Sequence, residues 1–474
     1  MIARIPRWVF WGVVAVLVLY LSVAGFNAVV VPWSGAADSR FHMEYVLAVS
    51  EGHLPVASNV VAAHPPLYYL LASWLVGGLL HNDQYVLAVA VLRIANIAVG
   101  AVTLLVLAWA GWKLGGRWRD QLTIALPAVS VLLTPYIRVV GDVYNDALST
   151  LWATAALAIS AVIIRRGPSV AALVVLGVLS VLGMATRATF IVTFGLTLVA
   201  IVVALVLWPA GRIRHRIRAG IVACVVSIAA VVLTSGWFYL FNLERSGSWF
   251  RSRTEAPFAG RPYTSLTDNL TNPDFYLVTA GRLLGFREWS GLAPVNFALS
   301  YLLTALCLVG LVLVTARGSR WRAVVADRRL FAVVVFFLVQ MLGLYAMQLQ
   351  HATGWGNINL RYFLPGLLVM GVVLALGALG FERARGQVVT AVLAVLAGGA
   401  LVDAVWYASP KVDQVVSGAL VPNLLGALAA NGFPALTVLP LALGIVVGLL
   451  VAGVALFKVT APAATPIPLR RNLA

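Results

Sequence analysis

Asp38-Ser39-Arg40-Phe41-His42-Met43-Glu44-Tyr45, running on to His64-Pro65-Pro66-Leu67-Tyr68-Tyr69, is the first substantial polar segment in a chain that is otherwise mostly hydrocarbon. The apolar run Trp8 to Val31 precedes it and more apolar sequence follows. Residues 38–69 carry three acids (Asp38, Glu44, Glu51) and three of the six histidines (His42, His53, His64). An ionisable group close to an apolar span costs free energy unless it is paired, so such groups collect where a membrane protein binds or transforms something. The rest of the chain reads as scaffolding for this loop.

Working outward, the composition fixes the class. The chain has 474 residues, 62% hydrophobic and 10% charged, with mean hydropathy +0.97. No soluble fold of this length hides so much apolar surface, and the sequence predicts an all-α polytopic membrane protein. The two cysteines, Cys224 and Cys307, lie inside apolar runs and fit neither a metal spacing nor a disulfide framework.

Runs of about 20 apolar residues, each long enough to cross roughly 30 Å of hydrocarbon, recur along the chain. Spans are expected at 8–31, 85–110, 121–139, 144–164, 168–186, 188–208, 219–241, 292–316, 330–350, 360–381, 387–407 and 434–457. The apolar but short segment 66–80 fits a helix lying at the surface. Counting loops alternately, one set holds 21 of the 33 cations and only three of the 16 acids, Asp120, Asp327 and Glu382. By the positive-inside rule that set is cytoplasmic, with both termini. The net charge of +17 is thus a topology signal, and nucleic acid is not implied. Residues 1–457 read as a single integral membrane domain, with outer loops 32–84 and 242–291 forming the site, and 458–474 as a cytoplasmic tail.

The outer side owns the candidate chemistry. Asp38, just beyond the first span, could take a proton from a hydroxyl; on residue type alone the helix N-cap is the stronger reading. His42 falls one helical turn later, and Glu44 on another side. Pro65-Pro66 keeps His64 out of a helix and available at the interface. Tyr68 and Tyr69 suit headgroup depth as aromatic anchors. Asp142 and Asp146, four apart, are expected on one helical face, where they could position a sugar or pair with Arg138 or Arg187. Arg187 interrupts a long apolar stretch, Arg93 lies two turns into the second span, and Arg361 opens the tenth. Three arginines at one level suit an anionic lipid headgroup, because a guanidinium binds phosphate or carboxylate through two parallel hydrogen bonds. Arg245, Arg251, Arg253, Arg261, Arg282 and Arg287, with Trp249, Phe250, Tyr263, Tyr276 and Trp289, add a weak carbohydrate-like signal. No nucleotide-binding loop, zinc spacing or nucleophile elbow occurs, so an outward-facing enzyme would need an activated donor already in the membrane.

Taken together, the acidic first loop, Glu51-Gly52-His53-Leu54-Pro55, His64-Pro65-Pro66-Leu67-Tyr68-Tyr69, Arg93, Asn145-Asp146, Arg187, Trp237…Asn242…Gly247 and Arg361-Tyr362-Phe363-Leu364-Pro365 resemble GT-C glycosyltransferases. The branch most like it is the protein O-mannosyltransferase and aminoarabinose-transferase-like superfamily of bacteria. The resemblance implies about 12 transmembrane helices with interfacial helices in the first outer loop. It implies a polyprenyl-phosphate-linked sugar as donor and transfer, with inversion, to a hydroxyl of a protein, lipid or polysaccharide outside the bacterial plasma membrane. It casts Asp38 as the base. It puts His64 at the lipid phosphate, where many members carry Lys, and many also have a second acid where Ser39 stands. Arg187, Arg93 and Arg361 are then expected at the donor phosphate, and Asp146, Asp142, His42 and Glu44 around the sugar or acceptor. No cofactor is expected and a divalent cation is left open. A twelve-span secondary transporter, or a lipid-linked glycan polymerase or flippase, is the alternative; a transporter would carry its ionisable residues near mid-span.

Overall fold

The structure, a computed structural model, describes residues 5–32, 38–208, 212–250, 263–273, 275–277, 293–316, 319–354, 358–381, 384–408 and 420–460. Arg251, Arg253, Arg261, Arg282, Arg287, Trp289 and residues 461–474 of the expected tail lie outside the described residues. The chain is a helical bundle; the described residues form no sheet, only one isolated bridge between Thr264 and Gly354.

The first half runs α1 (Arg7–Val30), α2 (Ser39–Ser50), α3 (Leu67–Leu80), α4 (Tyr85–Leu114), α5 (Arg119–Val131), α6 (Thr134–Val140), α7 (Asp146–Arg166), α8 (Val170–Thr186), α9 (Ile191–Leu207) and α10 (Ile213–Ser246). Long helices follow at Ala293–Thr315, Arg328–Ala352, Leu367–Leu379, Arg385–Ala408 and Val438–Thr460. Every expected span corresponds to a helix. Nine helices among the described residues are long and apolar enough to cross a membrane. Of the other three expected spans, α8 and the described apolar part of Ala293–Thr315 are shorter, and 121–139 is broken.

That break is a departure from a continuous helix. Gly116–Val131 and Thr134–Val140 meet at 71°. Leu133 is extended (φ −59°, ψ 126°) and Pro135 opens the next helix in its first turn, where a missing N–H costs nothing. The segment 66–80 gives the 14-residue α3, about 21 Å long at 1.5 Å per residue and too short to span.

α1 packs against α5 and the helix Val438–Thr460, and its Val16, Leu19, Tyr20 and Val23 belong to the main buried core. Between lipid-soluble helices close approach depends on small residues. At Gly310 and Gly377 the backbones of two helices meet so closely that any Cβ would strike the opposite chain. Leu233 and Trp74 are more than four-fifths exposed, as befits side chains turned to lipid.

The two ends differ as the charge alternation predicts. At one end Arg165 pairs with Asp327 at 2.5 Å, Arg166 donates to the Lys113 carbonyl, and Arg329 lies over Trp208 at 3.3 Å. At the other end the segments after α1, between α6 and α7, after α8 and before Leu367 converge.

Candidate active site

Asp38 occupies the N-cap position of α2, but its side chain makes no capping bond. Its carboxylate instead accepts from Arg361 Nη2, and its backbone N–H donates to the Tyr144 hydroxyl at 3.2 Å. Burial alone would raise the Asp38 carboxyl; the adjacent Arg361 outweighs it and holds the group below the usual carboxylate range. Asn359, which caps the turn Leu360–Gly366, accepts from Arg361 N at 3.2 Å and from Nε at 3.3 Å, so backbone and side chain are fixed together. The guanidinium lies over the Tyr144 ring, 5.0 Å from its centroid.

Arg187 stands alongside. It leaves the helical path at the end of α8 (φ −158°, ψ 134°), which turns its side chain back into the bundle. Nη1 donates to Asp146 at 2.6 Å and to Asn145 Oδ1 at 2.7 Å, and the ring of Tyr362 lies 5.8 Å away. Arg361 and Tyr362, neighbours in sequence, thus reach one cluster each. Both arginines and Asp38 act on each other's charge across this space.

Arg93 and Asp142 form a separate pair. Arg93 is 1% exposed, donates to Ala28 O at 2.5 Å and Val31 O at 3.0 Å, and meets Asp142 at 3.2 Å. All its nitrogens are engaged, so it holds the end of α1 against α4 rather than facing a ligand. The expected single helical face for Asp142 and Asp146 is corrected here: residues 141–145 are not helical, α7 begins at Asp146, and each acid has its own arginine. The i, i+4 rule holds only inside a helix.

His42, fully buried, places Nδ1 2.8 Å from the Tyr69 hydroxyl, and His64 Nδ1 lies 3.2 Å from the same oxygen. Burial pushes His42 down to about 3 and His64 well below the ordinary histidine value, with Arg187 and Arg361 adding to the effect on both. Tyr69 and Tyr68 are buried, which corrects the expectation of headgroup anchors: Tyr69 stacks on Tyr45 at 3.6 Å, and Tyr68 accepts from Asn96 at 3.2 Å. Glu44 is not brought to the cluster. It is half exposed, paired with Arg40 at 2.9 Å and accepting from Asn59 at 3.1 Å.

The loop carrying His64 is clamped from α10. Arg245 donates to Pro55 O and Ala62 O, and Asn242 donates to Ala63 O at 3.2 Å. Of the expected residues, Asp38, His42, His64, Arg187, Asp146 and Arg361 share one end and one neighbourhood. Sequence reading missed Tyr144 and Asn359, and missed Tyr69 as a polar bridge. Their signal was position alone: Tyr144 between two aspartates, and Asn359 two residues before an arginine. Among the described residues no three His, Cys, Asp or Glu side chains are grouped so as to hold a metal ion.

No protein-family model and no curated protein matches the chain. Among solved structures it is similar to ArnT from Cupriavidus metallidurans bound to undecaprenyl phosphate, with 14% identity, 94% of this chain and 77% of that one covered, and a TM-score of 0.49. The apo state of the same protein gives 15% identity, 94% and 76% coverage, and 0.49. The Archaeoglobus fulgidus oligosaccharyltransferase, tethered with an acceptor peptide, gives 12% identity, 90% and 55% coverage, and 0.43. Each of these similarities extends over at least nine-tenths of this chain.

Proposed function

We propose that this membrane protein transfers a sugar from a polyprenyl-phosphate donor to an acceptor hydroxyl, with inversion, on the side opposite its basic loops. That side is the outer face of a bacterial plasma membrane if both termini are cytoplasmic, and residues 1–457 then work as one domain. The observation that carries the reading is the carboxylate of Asp38, which is joined to Arg361 and lies beside the Arg187–Asp146 pair. An acid and two guanidinium groups, brought from three separate segments to one end of the bundle, suit a proton acceptor next to a phosphate site.

In this scheme the acceptor oxygen bonds to the anomeric carbon while the bond from that carbon to the phosphate oxygen breaks. The acceptor proton passes to Asp38, and polyprenyl phosphate leaves as a monoester. Arg361 and Arg187 face the charge that grows on the leaving phosphate, in a setting where preorganised donors need not reorient. His64 lines the same space as a neutral hydrogen-bonding group. Asp146 and Asn145 hold Arg187, while Asp142 and Arg93 hold the frame. A transporter is disfavoured because the charged cluster lies at one end of the bundle. The test is an assay of purified protein with a panel of polyprenyl-phosphate sugars, comparing wild type with Asp38→Asn. Sugar transfer by wild type and its loss in the variant are expected; equal turnover by both would reject the assignment.

A further inference from the structure

The Tyr69 hydroxyl stands between two imidazoles, 2.8 Å from His42 Nδ1 and 3.2 Å from His64 Nδ1. Burial keeps both rings neutral at pH 7, so each holds one ring proton. A hydroxyl has a single hydrogen to donate; toward the other ring it can only accept. Among the described residues these two nitrogens are the hydroxyl's partners, so its buried hydrogen is satisfied only by one bare Nδ1 while the other Nδ1, protonated, donates to its oxygen, and the two histidines occupy opposite tautomers. Their second nitrogens then differ too, one being a donor and the other an acceptor.

The surroundings select the resting state. His42 is faced by Asp38, Arg361, Arg187, Tyr144, Tyr69 and His64, and among the charges Asp38 weighs most. A carboxylate favours an N–H on the free edge of His42. His64 is faced by Arg187, Arg361, His42 and Tyr69, with Arg187 weighing most among the charges, and a cation favours a bare nitrogen there. The two preferences agree: His64 Nδ1–H donates to Tyr69, Tyr69 donates to His42 Nδ1, and His42 Nε2 carries the proton. That Nε2 is buried without a hydrogen-bond partner, as a group awaiting a ligand would be.

We propose that His42, Tyr69 and His64 form a tautomer switch, in which a lipid-phosphate anion seated at His64 turns the buried Nε2 of His42 from donor into acceptor. The proposal rests on the reading that a polyprenyl phosphate docks beside His64 and Arg187. An anion there requires an N–H on His64 Nε2. A proton from solvent enters at that nitrogen, Nδ1–H of His64 passes to Tyr69, the Tyr69 proton passes to His42 Nδ1, and the Nε2 proton of His42 leaves to water. One proton enters, one leaves, and no charge is buried. His42, one helical turn beyond Asp38, then presents a lone pair to an incoming hydroxyl. Tyr69 is a positioning residue in this scheme, since it acts only through the two rings.

The test is nitrogen-15 NMR of the full chain in lipid nanodiscs, labelled at histidine, with the two resonances assigned through His42→Gln and His64→Gln. The probes are geranylgeranyl phosphate and, for the headgroup alone, inorganic phosphate, with lipid binding measured separately by calorimetry. Opposite tautomers are expected without ligand, and inversion of both rings with bound geranylgeranyl phosphate. Tyr69→Phe is expected to bind the lipid while His42 stays in its resting form. Identical tautomers in the free protein, or lipid binding that leaves His42 unchanged, overturns the switch alone; these two wild-type readings decide it even if Tyr69→Phe fails to fold. Inversion that persists in Tyr69→Phe also overturns it. Absence of any lipid-phosphate binding overturns both the switch and the reading beneath it.

Discussion

Arg361, 323 residues further along the chain, donates to the carboxylate of Asp38. The acid at the exit of the first helix is therefore held by the turn that opens the tenth expected span, and its proton affinity is set from there. Replacing Asp38 by Asn keeps size and removes the base, so transfer should fall by about 10²–10⁴-fold. Binding of polyprenyl phosphate should persist, and parallel turnover and lipid-binding measurements check both halves.

Arg361→Gln removes the cation that keeps the Asp38 carboxyl low, leaving burial to raise it. A base must be ionised to act. The acid limb of the pH–rate profile should therefore move to higher pH, and the plateau rate should drop. An acid limb in the same place as wild type would mean that Arg361 does not govern Asp38.

Arg187 engages both Asn145 and Asp146, so simple removal strands a buried acid as well as deleting a cation. The double variant Arg187→Met with Asp146→Leu avoids this. It should regain most of the thermal midpoint lost by Arg187→Met, while transfer stays at least tenfold below wild type if the guanidinium stabilises the leaving phosphate, a loss of roughly 1.4 kcal/mol or more. Recovery of both together would reduce Arg187 to a structural role.

The Arg93–Asp142 pair is buried on both sides. Asp142→Ala should cost about 3–5 kcal/mol by leaving an uncompensated guanidinium. Thermal unfolding in detergent reads this directly, and a fall of less than 1 °C would contradict the frame role.

His42 and His64 add a pH dependence to stability. Both are depressed in the fold, His42 to about 3, against an ordinary value of 6.5. Their contribution is complete above pH 6.5 and is lost as pH falls toward the folded values, because the unfolded chain takes up protons that the fold refuses. Below pH 6.5 each ring should remove about 1.4 kcal/mol per pH unit. Melting curves at pH 7.5, 6 and 5 should show the decline beginning between the first two, and His42→Gln should halve its slope, leaving the His64 part.

Much of this architecture was legible before any coordinates. Apolar length located helix in each of the twelve expected spans, nine of them long enough to cross a membrane among the described residues, and the alternation of cations sorted the loops into two ends, because both are properties of single segments in a fixed solvent. What could not be read were pairings across the chain. Asp38 has the residue type and place of a helix cap, and nothing local says that an arginine in another helix claims it. Asp142 and Asp146 have helical spacing, but the non-helical residues Val143, Tyr144 and Asn145 separate them. Arg93 and Arg187 looked alike in sequence, yet one is saturated by carbonyls of α1 and the other opens toward Asp38. Tyr69 shows the limit from the other side: an aromatic ring near an interface is usually an anchor, and only the two imidazoles around it make it a polar bridge.

The Arg93 contacts carry a consequence for biogenesis. Its partners in α1 are already made when α4 emerges from the ribosome, but the carboxylate it needs is 49 residues downstream. A nascent chain that stops after the second span thus presents an unneutralised cation at the rim of the bilayer. The insertion machinery can release that helix into lipid only at a penalty until the turn carrying Asp142 arrives. Early truncation products should for that reason remain with the translocon longer than their hydropathy alone would suggest.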